Sequence, residues 1–120
     1  MIYKKMHIGK TKSTPEVIFD DNGTLRISGL SMMEDTFSFY NPINNWISSL
    51  NIQINKLDFC LDYLSTSSSI AILELIKNIK SKYPGVIIVW KYEEDDESIY
   101  RLGEDLELTS GSKIIFQITE

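Results

Sequence analysis

Lys56-Leu57-Asp58-Phe59-Cys60-Leu61-Asp62-Tyr63-Leu64, then Ser65-Thr66-Ser67-Ser68-Ser69, Ile70 to Tyr83, Pro84-Gly85 and Val86-Ile87-Ile88-Val89-Trp90 form the stretch on which the fold turns. In the first segment Leu57, Phe59, Leu61 and Tyr63 alternate with Asp58, Cys60, Asp62 and Leu64. A period of two marks a strand, here one whose second face is only partly polar. From Ile70 the period changes. Ile72, Leu73, Ile76 and Ile79 fall at i, i+1, i+4 and i+7, one face of an amphipathic helix predicted over 68–82. Pro84-Gly85 stops that helix. The run Val86 to Trp90 reads as a strand buried on both faces. Strand, helix and strand in this order predict a parallel pair joined by a crossover.

Upstream, Glu16 to Asp20 and Thr24 to Gly29 read as strands around Asp21-Asn22-Gly23, because Asn-Gly supplies the positive φ of a tight hairpin. Asn41-Pro42 reads as a cap followed by Pro in the first turn of a helix. Ile43, Trp46, Ile47 and Leu50 make its apolar face. Downstream, Ser98 to Leu108 is predicted helical with Ile99, Leu102 and Leu106 on one side. Ser110-Gly111-Ser112 is a turn, and Lys113 to Thr119 a last strand. The order β-β-α-β-α-β-α-β predicts an α/β fold, one small domain over 1–120 with a mixed β-sheet and packed helices. Residues 1–12 read as a loosely held polar arm.

A chain of 120 residues with 42% hydrophobic and 24% charged residues can bury a core without metal or disulfides. Twelve Lys and Arg against seventeen Asp and Glu leave a charge of −5 and no basic stripe, so neither nucleic acid nor an anionic membrane is an expected partner. Cys60 is the only cysteine and sits in an apolar stretch, as a buried small hydrophobe would. His7 is the only histidine. A site with several His or Cys ligands cannot be assembled, and nothing around His7 resembles a catalytic set. No signal peptide or membrane span is apparent, so the expected location is cytoplasmic.

Two clusters carry chemistry. The five hydroxyls at 65–69 fall where a strand gives way to a helix. A helix N-terminus offers unpaired N–H groups and partial positive charge, which stabilise an added phosphate. One of those hydroxyls can equally be a simple cap, and both roles can coexist. The site lacks the Gly-rich loop and Lys of a nucleotide-binding sequence. Glu93-Glu94-Asp95-Asp96-Glu97 is a run of five carboxylates. It reads as a solvated entry to a helix; the alternatives are a divalent-metal site of an enzyme and a surface for a basic partner. Trp90 and Tyr92 lie beside it, Trp90 reading as core and Tyr92 as an interface anchor.

Three stretches taken together resemble the SiaC family of bacterial signalling proteins: Thr11-Lys12-Ser13-Thr14-Pro15-Glu16-Val17, the segment Tyr63 to Ser69, and Trp90-Lys91-Tyr92-Glu93-Glu94-Asp95-Asp96 with Gly103-Glu104-Asp105. The likeness runs over about residues 10 to 118. Leu64 and Ser65 stand where the family usually has Phe and Asn, and Ile70 where Lys is common. The resemblance implies a small domain comparable to anti-sigma factor antagonists (STAS-like), without enzymatic activity or cofactor. It implies a partner Ser/Thr kinase with a histidine-kinase-type ATP fold, a PP2C-type phosphatase that reverses it, and an effector such as a diguanylate cyclase bound by the unmodified form. The phosphoacceptor maps to Thr66, with Ser67 and Ser68 as fallbacks. The expected partner surface comprises Ser65, Thr66, Ser67, Ser68, Tyr92, Glu94, Asp95 and Asp96. The competing readings are an enzyme using the carboxylates 93–97 and a binding module that is never phosphorylated.

Overall fold

The computed structural model describes residues 6–49 and 53–119. Six strands, β1 (Met6–Ile8), β2 (Glu16–Phe19), β3 (Thr24–Ser31), β4 (Lys56–Leu64), β5 (Ile87–Glu93) and β6 (Ile114–Thr119), form one sheet in that spatial order. β1, β2 and β3 are antiparallel, and β3 to β6 are parallel. Helices α1 (Thr36–Ser49), α2 (Thr66–Lys82) and α3 (Glu97–Ser110) make the three crossovers. Each crossover steps one strand in the same direction. With the right-handed rule for such units, all three helices fall on one face.

Burial follows. Leu25, Ile27, Leu57, Phe59, Leu61, Ile88, Trp90 and Ile114 are buried beneath the helices. On the other face Ile87 and Ile115 are about half exposed. The expectation that Val86–Trp90 is covered on both sides is corrected at Ile87, because a sheet with all its crossovers on one face has no second layer; Val89, also on the helix-free face, stays buried at 5%. Asp58 lies on this helix-free face yet is buried, with Arg26 Nε at 3.3 Å and Lys91 Nζ at 3.2 Å from its Oδ2. Cys60, on the same face, is only half-buried; burial, then the Asp62 carboxylate, pushes its thiol pKa up.

The strand Lys56–Leu64 forms as read, but its alternation breaks. Gly29 pairs with Leu61 and Leu30 with Tyr63, so Asp62 is an extra residue, a β-bulge. The bulge turns Tyr63 out to 50% exposure and sends Leu64 into the core at 4%. α2 buries Ile72, Leu75, Ile76 and Ile79. Leu75 thus replaces Leu73, which is partly buried and lines a groove toward α3.

Two further expectations change. Met6–Ile8 is a strand paired with β2, not part of a loose arm, giving β-β-β-α-β-α-β-α-β; residues 1–5 lie outside the described residues. α1 begins at Thr36, capped by Asp35, whose Oδ1 accepts from the Ser38 N–H at 3.1 Å. Pro42 is therefore inside the helix, on its exposed side, where the Ser38 carbonyl that loses its usual donor is open to water. Ile43, Trp46 and Ile47 are buried as read, and Leu50 lies outside the described residues.

Trp90 is fully buried, and its indole N–H donates to the Ile99 carbonyl at 2.8 Å. The reason α3 can approach so closely is Gly103, where a Cβ would stand 2.6 Å from Trp90 Cδ1 and 2.7 Å from Phe116 Cε2.

Candidate functional site: a hydroxyl cluster at the start of α2

Parallel strands with sequential crossovers bring the β3–α1, β4–α2 and β5–α3 junctions together at the carboxyl ends of the parallel strands. The β4–α2 junction is only one residue long. Leu64 closes β4 against Ser31, and the Ser65 N–H donates to the Ser31 carbonyl at 2.9 Å. Ser65 is extended (φ −72, ψ 164), and its Oγ accepts from the Ser68 N–H at 3.2 Å, so it is the N-cap.

Ser68 is 0% exposed. It shares the inward face of α2 with Ile72, Ile76 and Ile79, three and four residues apart. Its Oγ lies 2.8 Å from Ser31 Oγ and 3.0 Å from Ser65 Oγ. Ser31 Oγ is in turn 2.7 Å from the hydroxyl of Tyr40, which is buried and has its pKa pushed up to about 12 by burial, against a lowering from Ser31. A buried chain of hydroxyls thus ties α1, β3 and α2 together. Ser68, read as a fallback acceptor and partner contact, is instead part of the foundation, unreachable without opening the helix start.

The outer hydroxyls differ. Ser67 is exposed but paired with Thr36 Oγ1 at 2.9 Å, and Ser69 Oγ donates to the Ser65 carbonyl at 3.2 Å. Thr66 is the first residue of the helix and exposed, and its hydroxyl makes no hydrogen bond among the described residues. The first turn of α2 holds no acidic side chain, so the positive end of the helix is not neutralised there. Thr66 also lines a groove between α2 and α3 with Leu73, Leu102 and Asp105.

The acidic run lies elsewhere along these strand ends. Glu93, Glu94, Asp95 and Glu97 are exposed, while Asp96 caps α3 by accepting from the Ile99 N–H at 3.1 Å. None of 92–96 lines the groove that holds Thr66. Tyr92 is half-buried, in a ladder with Tyr100 at 5.0 Å and, through Tyr100, with Phe116 at 5.1 Å. Among the described residues no three His, Cys, Asp or Glu side chains converge as metal ligands would. His7 is exposed and 3.6 Å from Glu16. No helix among the described residues is long and apolar enough to cross a membrane.

Reading the sequence missed Ser31, Thr36 and Tyr40, which lie about thirty residues before the cluster and carry no local motif. It also missed Asp105 as a neighbour of Thr66, although Gly103-Glu104-Asp105 stood out as a motif.

Known proteins share this fold. The chain of SiaC in the crystal structure of the diguanylate cyclase SiaD in complex with its activator SiaC from Pseudomonas aeruginosa superposes with a TM-score of 0.80 at 27% identity, covering 95% of this chain and 99% of that one. The structure of apo-SiaC from the same organism gives 0.74 at 26% identity, covering 98% and 100%. None of the curated proteins matches in sequence. The family model for SiaC family regulatory phosphoproteins matches residues 8–120, from β1 through the hydroxyl cluster to the end of the sheet. The chain belongs to the SiaC family of regulatory phosphoproteins.

Proposed function

We propose that this protein is a non-enzymatic switch whose state is the phosphorylation of Thr66. A Ser/Thr kinase with a histidine-kinase-type ATP fold adds the phosphate, a PP2C-type phosphatase removes it, and the unmodified form binds and activates an effector, a diguanylate cyclase. The proposed location is the cytoplasm, where a kinase of this class has ATP. One observation carries the reading: Thr66 is exposed and without a side-chain hydrogen bond among the described residues at the first position of α2, while the hydroxyls around it form the cap, are paired or are buried.

The chemistry supports a change of surface without a change of fold. A phosphate adds about −1.5 to −2 charges at neutral pH. The first turn of α2 is free of acidic side chains and accepts that charge. The buried hydroxyls of Ser31, Ser68 and Tyr40 anchor the helix start from beneath, so it has no need to move. Outside, the new dianion stands in a groove with Asp105 and opposes any apolar or acidic group a partner would bring there. The kinase and phosphatase need reach only Thr66 and its immediate loop. The likeness to an activator bound to a diguanylate cyclase supports that class of effector.

The test is mass spectrometry of the purified protein after incubation with its genome's kinase of this class and ATP. Phosphate at Thr66, absent from Thr66→Ala and removed by the phosphatase, is the expected result. Phosphate only outside 65–69, with a demonstrably active kinase, overturns the assignment.

A further inference from the structure

β6 is an outer strand of the sheet, and nothing in its own sequence guards it. Ile114-Ile115-Phe116-Gln117-Ile118-Thr119 holds no charged residue and no proline, and it pairs with β5 without a bulge. Those are devices by which edge strands avoid pairing with other chains. The other outer strand among the described residues, β1, is only three residues long. Ile115 and Ile118 are each about half exposed, Ile115 on the helix-free face and Ile118 on the helix side with Phe116.

One contact fixes which backbone groups of β6 face outward. The Ile114 N–H donates to Glu107 Oε2 at 2.8 Å, so it points away from β5. The backbone groups of successive strand residues alternate in direction. The N–H and C=O of Phe116 and Ile118 therefore point outward as well, and those of Ile115 and Gln117 toward β5. Among the described residues nothing outside the sheet pairs with the outward groups of Phe116 and Ile118. Two N–H and two C=O groups thus stand open, while Glu107 closes the strand at Ile114.

We propose that the outer side of β6 pairs with the same strand of a second copy about a two-fold axis. Such an axis, perpendicular to the sheet, makes the two strands antiparallel, and the open groups select the register. Centred on Gln117, the pairing sets Phe116 opposite Ile118 of the second copy. Each such pair exchanges two N–H···O=C bonds, so every open group of Phe116 and Ile118 in both strands is used. Centred on Phe116, the pairing would need the Ile114 N–H that Glu107 already holds. In the Gln117 register Thr119 of the second copy stands opposite Ile115, and Ile114 keeps its bond to Glu107. The half-exposed Ile118 is covered by an aromatic ring, and the two six-stranded sheets become continuous. A second copy suits this strand because its open groups are complementary to themselves, with apolar side chains meeting apolar ones and no charge to match. α3 opposes the contact. Tyr100 lies over Phe116 and Glu107 over Ile114, so Glu104, between them on the helix, also faces the second copy. Two such acidic flanks repel, and salt should tighten the dimer by screening them. The proposal is independent of the switch reading above.

The experiment is sedimentation equilibrium of the full chain over a concentration series, alongside Ile118→Glu and, as a control on the helix-free face of β5, Ile87→Glu. Circular dichroism melts check that each variant folds. The expected result is a reversible dimer that tightens as salt rises. Ile118→Glu should weaken it roughly 10- to 100-fold, and Ile87→Glu should leave it within about twofold of the parent. The register is tested by oxidation in a Cys60→Ser background. Gln117→Cys should form a disulfide-linked dimer, because residues of a non-hydrogen-bonded antiparallel pair have Cα atoms about 4.5 Å apart, within disulfide reach. Ile115→Cys, which faces Thr119 of the second copy, should not. A chain that stays monomeric at millimolar concentration overturns the proposal. So does a dimer lost with Ile87→Glu and kept with Ile118→Glu, which belongs to the helix-free face. A dimer in which Gln117→Cys gives no disulfide overturns the register and the part given to Glu107. Should Ile118→Glu fail to fold, the two cysteine variants decide alone.

Discussion

Replacing Gly103 by Ala adds one methyl group to α3 where the helix lies against Trp90. The added Cβ would meet Trp90 Cδ1 at 2.6 Å, Trp90 Nε1 at 2.7 Å and Phe116 Cε2 at 2.7 Å. None of these atoms yields easily, because Trp90 is 0% exposed and its indole is bonded to the Ile99 carbonyl at 2.8 Å. Helix and ring must separate, at an overpacking cost of ~1–3 kcal/mol. The separation also strains the buried indole hydrogen bond, and losing it costs ~1–3 kcal/mol. Against this, Ala gains ~1 kcal/mol over Gly in helix propensity. The balance is destabilisation by ~3 kcal/mol, a fall of roughly 10 °C in Tm for a domain of this size. Urea unfolding followed by tryptophan fluorescence measures it, with the m-value unchanged. Gly85→Ala is the control, since nothing lies within 4 Å of the Cβ it would add. A Gly103→Ala protein as stable as the parent would refute the view that this glycine exists for the approach of helix to strand.

Four other outcomes are expected. Thr66→Asp should raise stability by ~0.3–1 kcal/mol in thermal melts, because it places a carboxylate on the unneutralised N-terminus of α2, while weakening effector binding in a pull-down; a variant that melts lower would contradict the electrostatic argument. Tyr40 has its pKa raised to about 12, mainly by burial. Its folded pKa lies above its unfolded value near 10, so the associated stability is fully present below pH 10 and is lost as the pH rises from 10 to 12, up to ~2–3 kcal/mol; Tyr40→Phe should flatten that part of a stability–pH curve. Asp58→Ala takes away the buried carboxylate between Arg26 and Lys91, whose side chains are 43% and 31% exposed. Both cations keep part of their hydration, so the loss in urea unfolding should be ~1–3 kcal/mol, below that of a fully buried pair. Ser68→Ala should cost ~1–2 kcal/mol by breaking the buried hydroxyl chain, yet leave phosphate incorporation at Thr66 intact on a mass spectrum; a lost phosphate signal would make Ser68 the acceptor.

Local pattern determined most of the elements. The alternation in Lys56–Leu64, the stripe through Ile72, Ile76 and Ile79, the Asn22-Gly23 hairpin and the Pro84-Gly85 stop each record a requirement that neighbouring residues satisfy among themselves. For the same reason the hydroxyl cluster was legible as a helix start, since a cap and a first turn are made by consecutive residues. The start of α1 was less so: Asp35 and Ser38 carry the cap, but Asn41-Pro42 offers the same local chemistry six residues later, and only the packing of Thr36 and Tyr40 against the sheet decides between them.

The rest belongs to tertiary structure. Whether Ile87 is covered depends on where three crossovers fall, which no property of its strand records. The bulge at Asp62, which exchanges Tyr63 and Leu64 between faces, arises from register against β3, some thirty residues away in sequence. Met6–Ile8 is too short to announce itself and exists because Val17–Phe19 offer an edge. Most of all, local chemistry presents the five hydroxyls at 65–69 as equals, and only the family resemblance singles out Thr66. Folding buries Ser68 against Ser31, uses Ser65 as the cap, pairs Ser67 with Thr36 and leaves Thr66 exposed, with no side-chain hydrogen bond among the described residues. That selection is made by β3 and α1, because the accessibility of a hydroxyl depends on everything packed around it and not on its neighbours in the chain.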